Sequence, residues 1–366
     1  MDSEPNILDA LRRGDVRLPP FLFELAGIEP AAASPRRLLR PDAYVDGRWS
    51  ERTVRFAAEL RAHATPKVFR DAIEQLREYA AAMEMRPLLV TTYLAPDRLA
   101  ELEAKGVSGV DLCGNGVVVI PGEVLVFRTG NPNKYPAGRI IRNVYQGASS
   151  LVARVFLLRP SFGSVQEVRD EVAKCGGSVS LGTVSKVLKV LEDDLVIRRD
   201  GRATELIQPD ELLDRLAKAF RPPSVTARKK YQWTGDRSPW SRVFGQNARR
   251  LRESGERLVK TGASSVDEYA IALRERMQSY YCTAIGAIEQ PLKDELRESS
   301  HFPDLELIET RDPTVYFDTQ PATQVPAASP IQAWLELQAG DKRQSEAAKI
   351  IRQRILSELQ TERRLG

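Results

Sequence analysis

Apolar residues along this chain recur at three- and four-residue spacings in some stretches and at alternate positions in others, and residues 146–221 contain both periods in a telling order. Ser164 followed by Glu167 is a capping box, and it opens a helix whose inward positions are Val165, Val168 and Val172. Gly176 and Gly177 stop that helix. A second helix is predicted from about Ser180, with Leu181, Val184, Leu188 and Leu191 on one stripe and Gly182, Ser185, Lys186 and Lys189 on the opposite face. Two strand-like runs follow, Leu195-Val196-Ile197 and Glu205-Leu206-Ile207, joined by Arg198-Arg199-Asp200-Gly201-Arg202. An Asp-Gly turn between such runs signals a hairpin, here with three arginines around its tip. Helix, glycine stop, helix and basic hairpin in that sequence predict a winged helix-turn-helix.

Small and basic residues on the exposed face of the second helix are what entry into a major groove requires, because bulky apolar groups would block the approach to base edges. The DNA-contacting residues expected on this basis are Ser180, Thr183, Ser185, Lys186 and Lys189 on the helix. Arg198, Arg199 and Arg202 are expected on the phosphates or in the minor groove.

Upstream, residues 1–35 show little pattern and are expected to be a lead-in. Pro41-Asp42 precedes a short strand, Tyr44-Val45-Asp46, that is predicted to turn at Gly47. In the longer strand from Thr53 to Arg61, Val54, Phe56, Ala58 and Leu60 point one way and Arg55, Ala57, Glu59 and Arg61 the other. A helix follows Thr65-Pro66, with Phe69, Ala72, Ile73, Leu76, Ala80 and Met83 inward and Gln75 and Tyr79 one turn apart. A strand from Leu88 to Tyr93, a helix from Pro96 to just before Gly106, and strands at 107–112, 117–120 and 124–127 complete the segment. The order β-β-α-β-α-β-β predicts a mixed sheet with helices on its faces over residues 36–145.

Downstream, Pro222-Pro223-Ser224 opens a basic stretch, 222–257, expected to be a linker. Residues 258–366 read as a further α/β unit for dimerisation or partner binding. It has strand-like runs at 280–288, 305–308 and 314–317 and two helices, 330–338 and 344–359. The second helix carries Ala347, Ile350, Ile351, Ile355 and Leu359 on one stripe. The fold class expected for the whole is therefore mixed α and β.

Charge changes this picture in one place. The formal net charge is only +4, yet between Arg221 and Lys260 eleven Lys or Arg stand against three Asp or Glu. Arg228-Lys229-Lys230 adds an aromatic pair, Tyr231 and Trp233, and is expected along phosphates beside the winged helix. A hydrophobic fraction of 42% and a charged fraction of 28% are those of a globular chain, and no apolar run is long enough for a membrane span. The acidic start, Met1-Asp2-Ser3-Glu4, lacks the basic region of a secretory leader, so a cytoplasmic location is expected. Cys113, Cys175 and Cys282 are far apart and only His63 and His301 are present, which argues against a zinc site or a disulfide framework.

Pro41-Asp42, Glu59-Leu60-Arg61 and the Gln75 to Tyr79 helix together resemble the PD-(D/E)xK nuclease-like fold of the RecB-like branch. The resemblance implies that Asp42 and Glu59, or Asp46 in place of Asp42, would hold Mg²⁺, with Arg61 where the family has lysine and with Gln75 and Tyr79 as the helix signature. Arginine keeps the charge but is wide, forked and permanently protonated.

A second resemblance is to AbiEi-type antitoxins and related winged-helix regulators. It rests on Pro87-Leu88-Leu89-Val90 to Tyr93-Leu94, on Gly109-Val110-Asp111-Leu112-Cys113-Gly114-Asn115, on Ser180 to Ser185, and on Pro330-Ile331-Gln332. It implies autorepression by binding double-stranded DNA, and a toxin of nucleotidyltransferase type as protein partner. The function expected is an antitoxin-like transcriptional regulator, a homo-oligomer that needs no cofactor. A Mg²⁺-dependent endonuclease targeted by the winged helix, and a non-catalytic subunit of a DNA-processing or defence complex, are the alternatives.

Overall fold

The computed structural model describes residues 6–28, 41–62, 65–83, 85–135, 144–235, 240–270, 277–321, 325–338 and 340–365. The chain is mixed α/β and divides into two compact units, Met1–Ile140 and Ile141–Gly366.

The first unit is built on eight strands that lie in the sheet in chain order: β1 Val16–Leu18, β2 Phe21–Gly27, β3 Ala43–Trp49, β4 Arg52–Arg61, β5 Arg86–Thr91, β6 Ser108–Asp111, β7 Gly116–Ile120 and β8 Val124–Arg128. Helix α1 (Ile7–Arg12) precedes them, and α2 (Pro66–Met83) and α3 (Pro96–Ala104) are the crossovers that let β4, β5 and β6 run parallel. Alternation along β4 separates two cores. Phe56 and Ala58 face Leu11, Phe21, Phe23 and Val45, while Ala57 faces Phe69, Ile73 and Leu76 of α2 and Leu99 and Leu102 of α3.

Two expectations are corrected here. Residues 6–28 of the expected lead-in are not one, since α1, β1 and β2 bury Leu11, Leu18, Phe21 and Phe23 completely or nearly so. The alternation in β2 is too short to stand out until β3 pairs with it. Gly47 does not turn the chain but lies inside β3, between Phe23 and Val54 in register. A Cβ there would sit 2.9 Å from the Phe56 ring and 3.2 Å from the Phe23 ring, so glycine is required by the crowding of aromatics. The turn falls at Ser50, at φ 53°.

The second unit begins with α4 (Ser150–Val155), β9 (Ser161–Phe162), α5 (Val165–Lys174), α6 (Leu181–Asp193), β10 (Ile197–Asp200), β11 (Ala203–Leu206) and α7 (Pro209–Ala219). The three strands form one small sheet in the order β10-β11-β9. A five-stranded sheet follows, ordered β13-β14-β16-β12-β15. Its strands are β12 (Ala227–Trp233), β13 (Leu258–Lys260), β14 (Gln278–Cys282), β15 (Leu296–Glu298) and β16 (Leu305–Glu309). Helix α8 (Trp240–Glu253) supplies Phe244, Ala248 and Leu251 to its core, and α9 (Gly286–Glu289) supplies Ile288.

Helices α10 (Pro330–Leu337) and α11 (Lys342–Leu365) end the chain. They do not join the core of that sheet: Ile331, Trp334, Ile351, Ile355 and Leu359 pack in one cluster with Leu151, Val168, Leu188 and Leu213. Arg352 of α11 fixes the arrangement through Asp214 (2.5 Å) and Asp210 (3.0 Å) of α7. Inside the same core the buried Arg154 of α4 donates to the carbonyl of Thr314 (3.2 Å) and to Gln332 Oε1 of α10 (2.9 Å). Burial brings its pKa down to about 10.

The expected independent unit at 258–366 is thus corrected, because its last two helices complete the core of residues 144–219. The expected linker at 222–257 is corrected as well, since it forms β12 and α8. Its alternation is masked because Lys229, on the less exposed face, is charged like its exposed neighbours Arg228 and Lys230. The run 280–288 is strand only to Cys282, and 314–317 lies in a 3₁₀ turn at Pro313–Tyr316 capped by Asp312, whose carboxylate accepts from the Thr314 N–H (2.9 Å). Within α11, Ile350 faces outward and Ala348 takes its place. No helix among the described residues is long and apolar enough to cross a membrane.

Candidate nucleic-acid interface

Helix α6 starts where the Ser180 hydroxyl accepts the backbone N–H of Thr183 (3.1 Å), with the Thr183 hydroxyl 3.0 Å away. Both side chains serve the cap. Val184, Val187, Leu188 and Leu191 form the buried stripe, and Leu181 stands 42% exposed. The expected inward place of Leu181 is corrected: it sits in the first turn, before the helix meets the core, and Val187 fills the stripe instead. Ser185, Lys186 and Lys189 are exposed together on the outer face.

The hairpin after α6 pairs Ile197 with Leu206 and Asp200 with Ala203, leaving Gly201-Arg202 as a two-residue loop with Gly201 at φ 56°. Leu195, at φ 60°, ends the helix, so β10 begins two residues later than the apolar run suggests, while β11 begins two residues earlier. Arg198 and Arg199 therefore lie on β10 and only Arg202 is at the tip. Arg198 reaches Glu205 across the hairpin (2.8 Å). Among the described residues, none forms an ion pair with Lys186, Lys189, Arg199 or Arg202.

The second basic run behaves differently. Arg228, Lys229 and Lys230 belong to β12, and Arg228 meets Glu306 (3.4 Å) while Lys229 meets Glu289 (2.8 Å). Tyr231 donates its hydroxyl proton to the same Glu289 (2.6 Å), and these hydrogen bonds hold that carboxyl below its ordinary range. Lys230 is exposed. Strand pairing thus places a carboxylate beside Arg228 and Lys229, which the basic run alone does not indicate.

In the first unit Asp42, Glu59, Arg61 and Gln75 come together, without this supporting a nuclease-like domain. Asp42 accepts from the Leu60 N–H (2.9 Å) and from Arg61 Nη1 (2.5 Å), and Arg61 Nη2 binds the buried Glu59 and approaches Gln75 Oε1 (3.4 Å). The Tyr79 side chain lies outside the described residues. Asp46 points elsewhere and is clamped by Arg55 through two bonds of 2.8 and 2.9 Å, which hold its carboxyl below the usual range. The guanidinium of Arg61 bridges Asp42 and Glu59 and so occupies, with a fixed positive charge, the position from which both carboxylates would grip a divalent ion. This donor set does not fit Mg²⁺. Among the described residues no group of three or more His, Cys, Asp or Glu is placed to hold a metal.

One feature of the Gly109 to Asn115 segment is visible only in three dimensions. The buried Asp111 carboxylate accepts four hydrogen bonds, from the N–H groups of Leu94, Cys113 and Asn115 and from Asn115 Nδ2, at 2.8 to 2.9 Å. The segment is a structural knot that ties the end of β6 to the loop after β5.

Residues 205–357 match a family model described as transcriptional regulator, AbiEi antitoxin, type IV toxin–antitoxin system. The match starts in β11 and runs through most of α11, so it includes Pro330-Ile331-Gln332 and stops short of α6. No curated protein and no solved structure matches the chain.

Proposed function

We propose that this chain is a transcriptional regulator of antitoxin type that binds double-stranded DNA through residues 146–221 folded as a winged helix. The observation that carries the reading is the outer face of α6. Ser185, Lys186 and Lys189 stand exposed above a fully buried stripe, next to a hairpin whose Arg199 and Arg202 have no carboxylate partner among the described residues. A charged face left uncompensated by its own chain is suited to phosphates, which supply the missing negative charge and release counterions on binding. In this reading Ser185, Lys186 and Lys189 enter the major groove, and Arg202 takes a backbone phosphate.

The match over 205–357 supports the antitoxin assignment and points to a toxin protein as the partner of that part of the chain. Autorepression of its own operon is the form of regulation this implies. The reading needs no cofactor. The Asp42, Glu59, Arg61 and Gln75 cluster then acts as a charge clamp at the end of β4.

The test is titration of the purified protein into labelled duplexes from upstream of its own coding sequence and into unrelated duplexes, with Mg²⁺ and with EDTA. Specific, salt-sensitive binding without cleavage is expected. Equal affinity for all duplexes would remove the regulator reading, and metal-dependent cutting lost in Glu59→Ala would replace it with an endonuclease.

A further inference from the structure

A cavity of about 780 Å³ opens in the second unit beside the turn that joins α5 to α6. Its walls include Cys175, Arg252, Arg257, Tyr316, Asp318 and Gln320, and its size is that of a small-molecule site. Asp318 is the unusual member. Its backbone is left-handed, at φ 51°, and its N–H donates to the carbonyl of Cys175 (2.9 Å), so it docks directly on the α5–α6 turn. Its Oδ2 is buried with no hydrogen-bond partner among the described residues. Burial pushes the carboxyl up to about 6, against a hydrogen bond from Gln320 that lowers it, and the nearby charges of Glu171 and Glu358 push it up further. A protein gains nothing in stability from a buried carboxylate oxygen left without a partner in a strained backbone, and such residues concentrate where a ligand completes them.

The charges around the cavity narrow the ligand. Lys174 and Glu171 pair with each other (3.2 Å), as do Arg354 and Glu358 (2.7 Å). That leaves Arg252 and Arg257, the latter stacked on Tyr316 at 5.6 Å, against Glu256 and Asp318, two charges of each sign. A carboxylate oxygen without a partner at one position, and two guanidinium groups against the single carboxylate of Glu256 at another, suit a molecule that is itself dipolar.

We propose that this cavity binds a small dipolar ligand, with a planar pair of N–H donors on the Asp318 carboxylate and an anionic group on Arg252 and Arg257. A guanine nucleotide and free arginine both have this chemistry. Because Asp318 is bonded to Cys175, occupancy stiffens the α5–α6 turn. Its consequence for DNA binding rests on the function proposed above.

The experiment is calorimetric titration of the full chain with GMP, with L-arginine and with inorganic phosphate, repeated on Asp318→Asn and Arg257→Ala, each first checked by thermal unfolding. Asparagine tolerates the left-handed backbone, so Asp318→Asn keeps the fold. Binding of GMP or of arginine with Kd below about 1 mM, weakened at least about tenfold in Asp318→Asn and also weakened in Arg257→Ala, is expected. GMP binding alone identifies the nucleotide source and arginine binding alone the amino acid. No heat from either, unchanged affinity in Asp318→Asn, or phosphate binding as tightly as both would overturn the proposal. Hydrogen exchange of residues 171–180 should slow when the ligand is added, and unchanged exchange would overturn the coupling. Neither readout uses DNA, so failure of the DNA-binding reading leaves both interpretable.

Discussion

Two basic stretches look alike in the sequence and differ in the structure. On α6 and the following hairpin, Lys186, Lys189, Arg199 and Arg202 project from elements whose apolar side is buried, with no carboxylate set opposite them among the described residues. On β12, Arg228 and Lys229 project from a strand inside a five-stranded sheet, and the neighbouring strand and helix bring Glu306 and Glu289 to them. Composition cannot separate the two cases. A cation advertises a binding surface only where the fold leaves it without a partner, and the same test applied to carboxylates separates Glu289 and Asp46, which have partners, from Asp318, whose Oδ2 has none among the described residues.

The comparison can be broken first at its strongest point. Lys186→Ala should weaken binding to the specific duplex by about 1–3 kcal/mol if that side chain reads a base, measured by fluorescence anisotropy. An unchanged Kd would remove α6 from the interface. Asp318→Asn should stabilise the fold above pH 6 by roughly 1–3 kcal/mol in denaturant titrations, because the folded-state carboxyl titrates at about 6 against an ordinary 3.8. The sign follows from proton uptake. The native state binds the extra proton between about pH 4 and 6, so wild-type stability falls as pH rises through that window and levels off above it, and the gain in the variant should vanish below about pH 4.

On the paired side, Glu289→Ala strands the buried Tyr231 hydroxyl as well as Lys229. A loss of about 1–2 kcal/mol of stability with no change in DNA affinity is the expected outcome, read by unfolding and by anisotropy on the same samples. Arg202→Ala should lower affinity evenly across sequences and reduce the slope of log K against log salt by about one, measured over a salt series. The smallest effect belongs to Arg228→Ala. It should leave DNA affinity unchanged and cost about 1 kcal/mol of stability, because the half-exposed Arg228 leaves the buried Glu306 with the Ser279 hydroxyl as a remaining partner. A large affinity loss there would return β12 to the interface and dissolve the distinction.

Legibility followed the range of the forces involved. The Ser164 and Ser180 caps, the stops at Gly176-Gly177 and the Gly201 turn are settled by neighbours within a few residues, and they stand where the periodicity places them. That Glu59 and Arg61 share a face follows from alternation on β4, whereas the meeting of Asp42 and Gln75 with them was implied only by the nuclease-like resemblance. The roles were not legible in the sequence. Only side-chain geometry shows Arg61 lying across both carboxylates, or Arg198 spent on Glu205. Leu181 and Val184 lie one turn apart on the same stripe, and that only Val184 is buried depends on where α6 begins to touch α4 and α5.

What the sequence determined by itself is the set of local decisions: α5, α6 and the hairpin, the parallel crossovers through α2 and α3, and the mixed α/β class, because capping, turn chemistry and the periods of helix and strand act over a few residues. What only the tertiary structure decided is partnership over long separations. It joined α10 and α11 to the core of residues 144–219, drew residues 16–27 into an eight-stranded sheet, turned a basic stretch into the strand β12, and left the buried Asp318 Oδ2 without a partner among the described residues. These depend on contacts between residues tens to hundreds of positions apart, whose pairing no local pattern encodes.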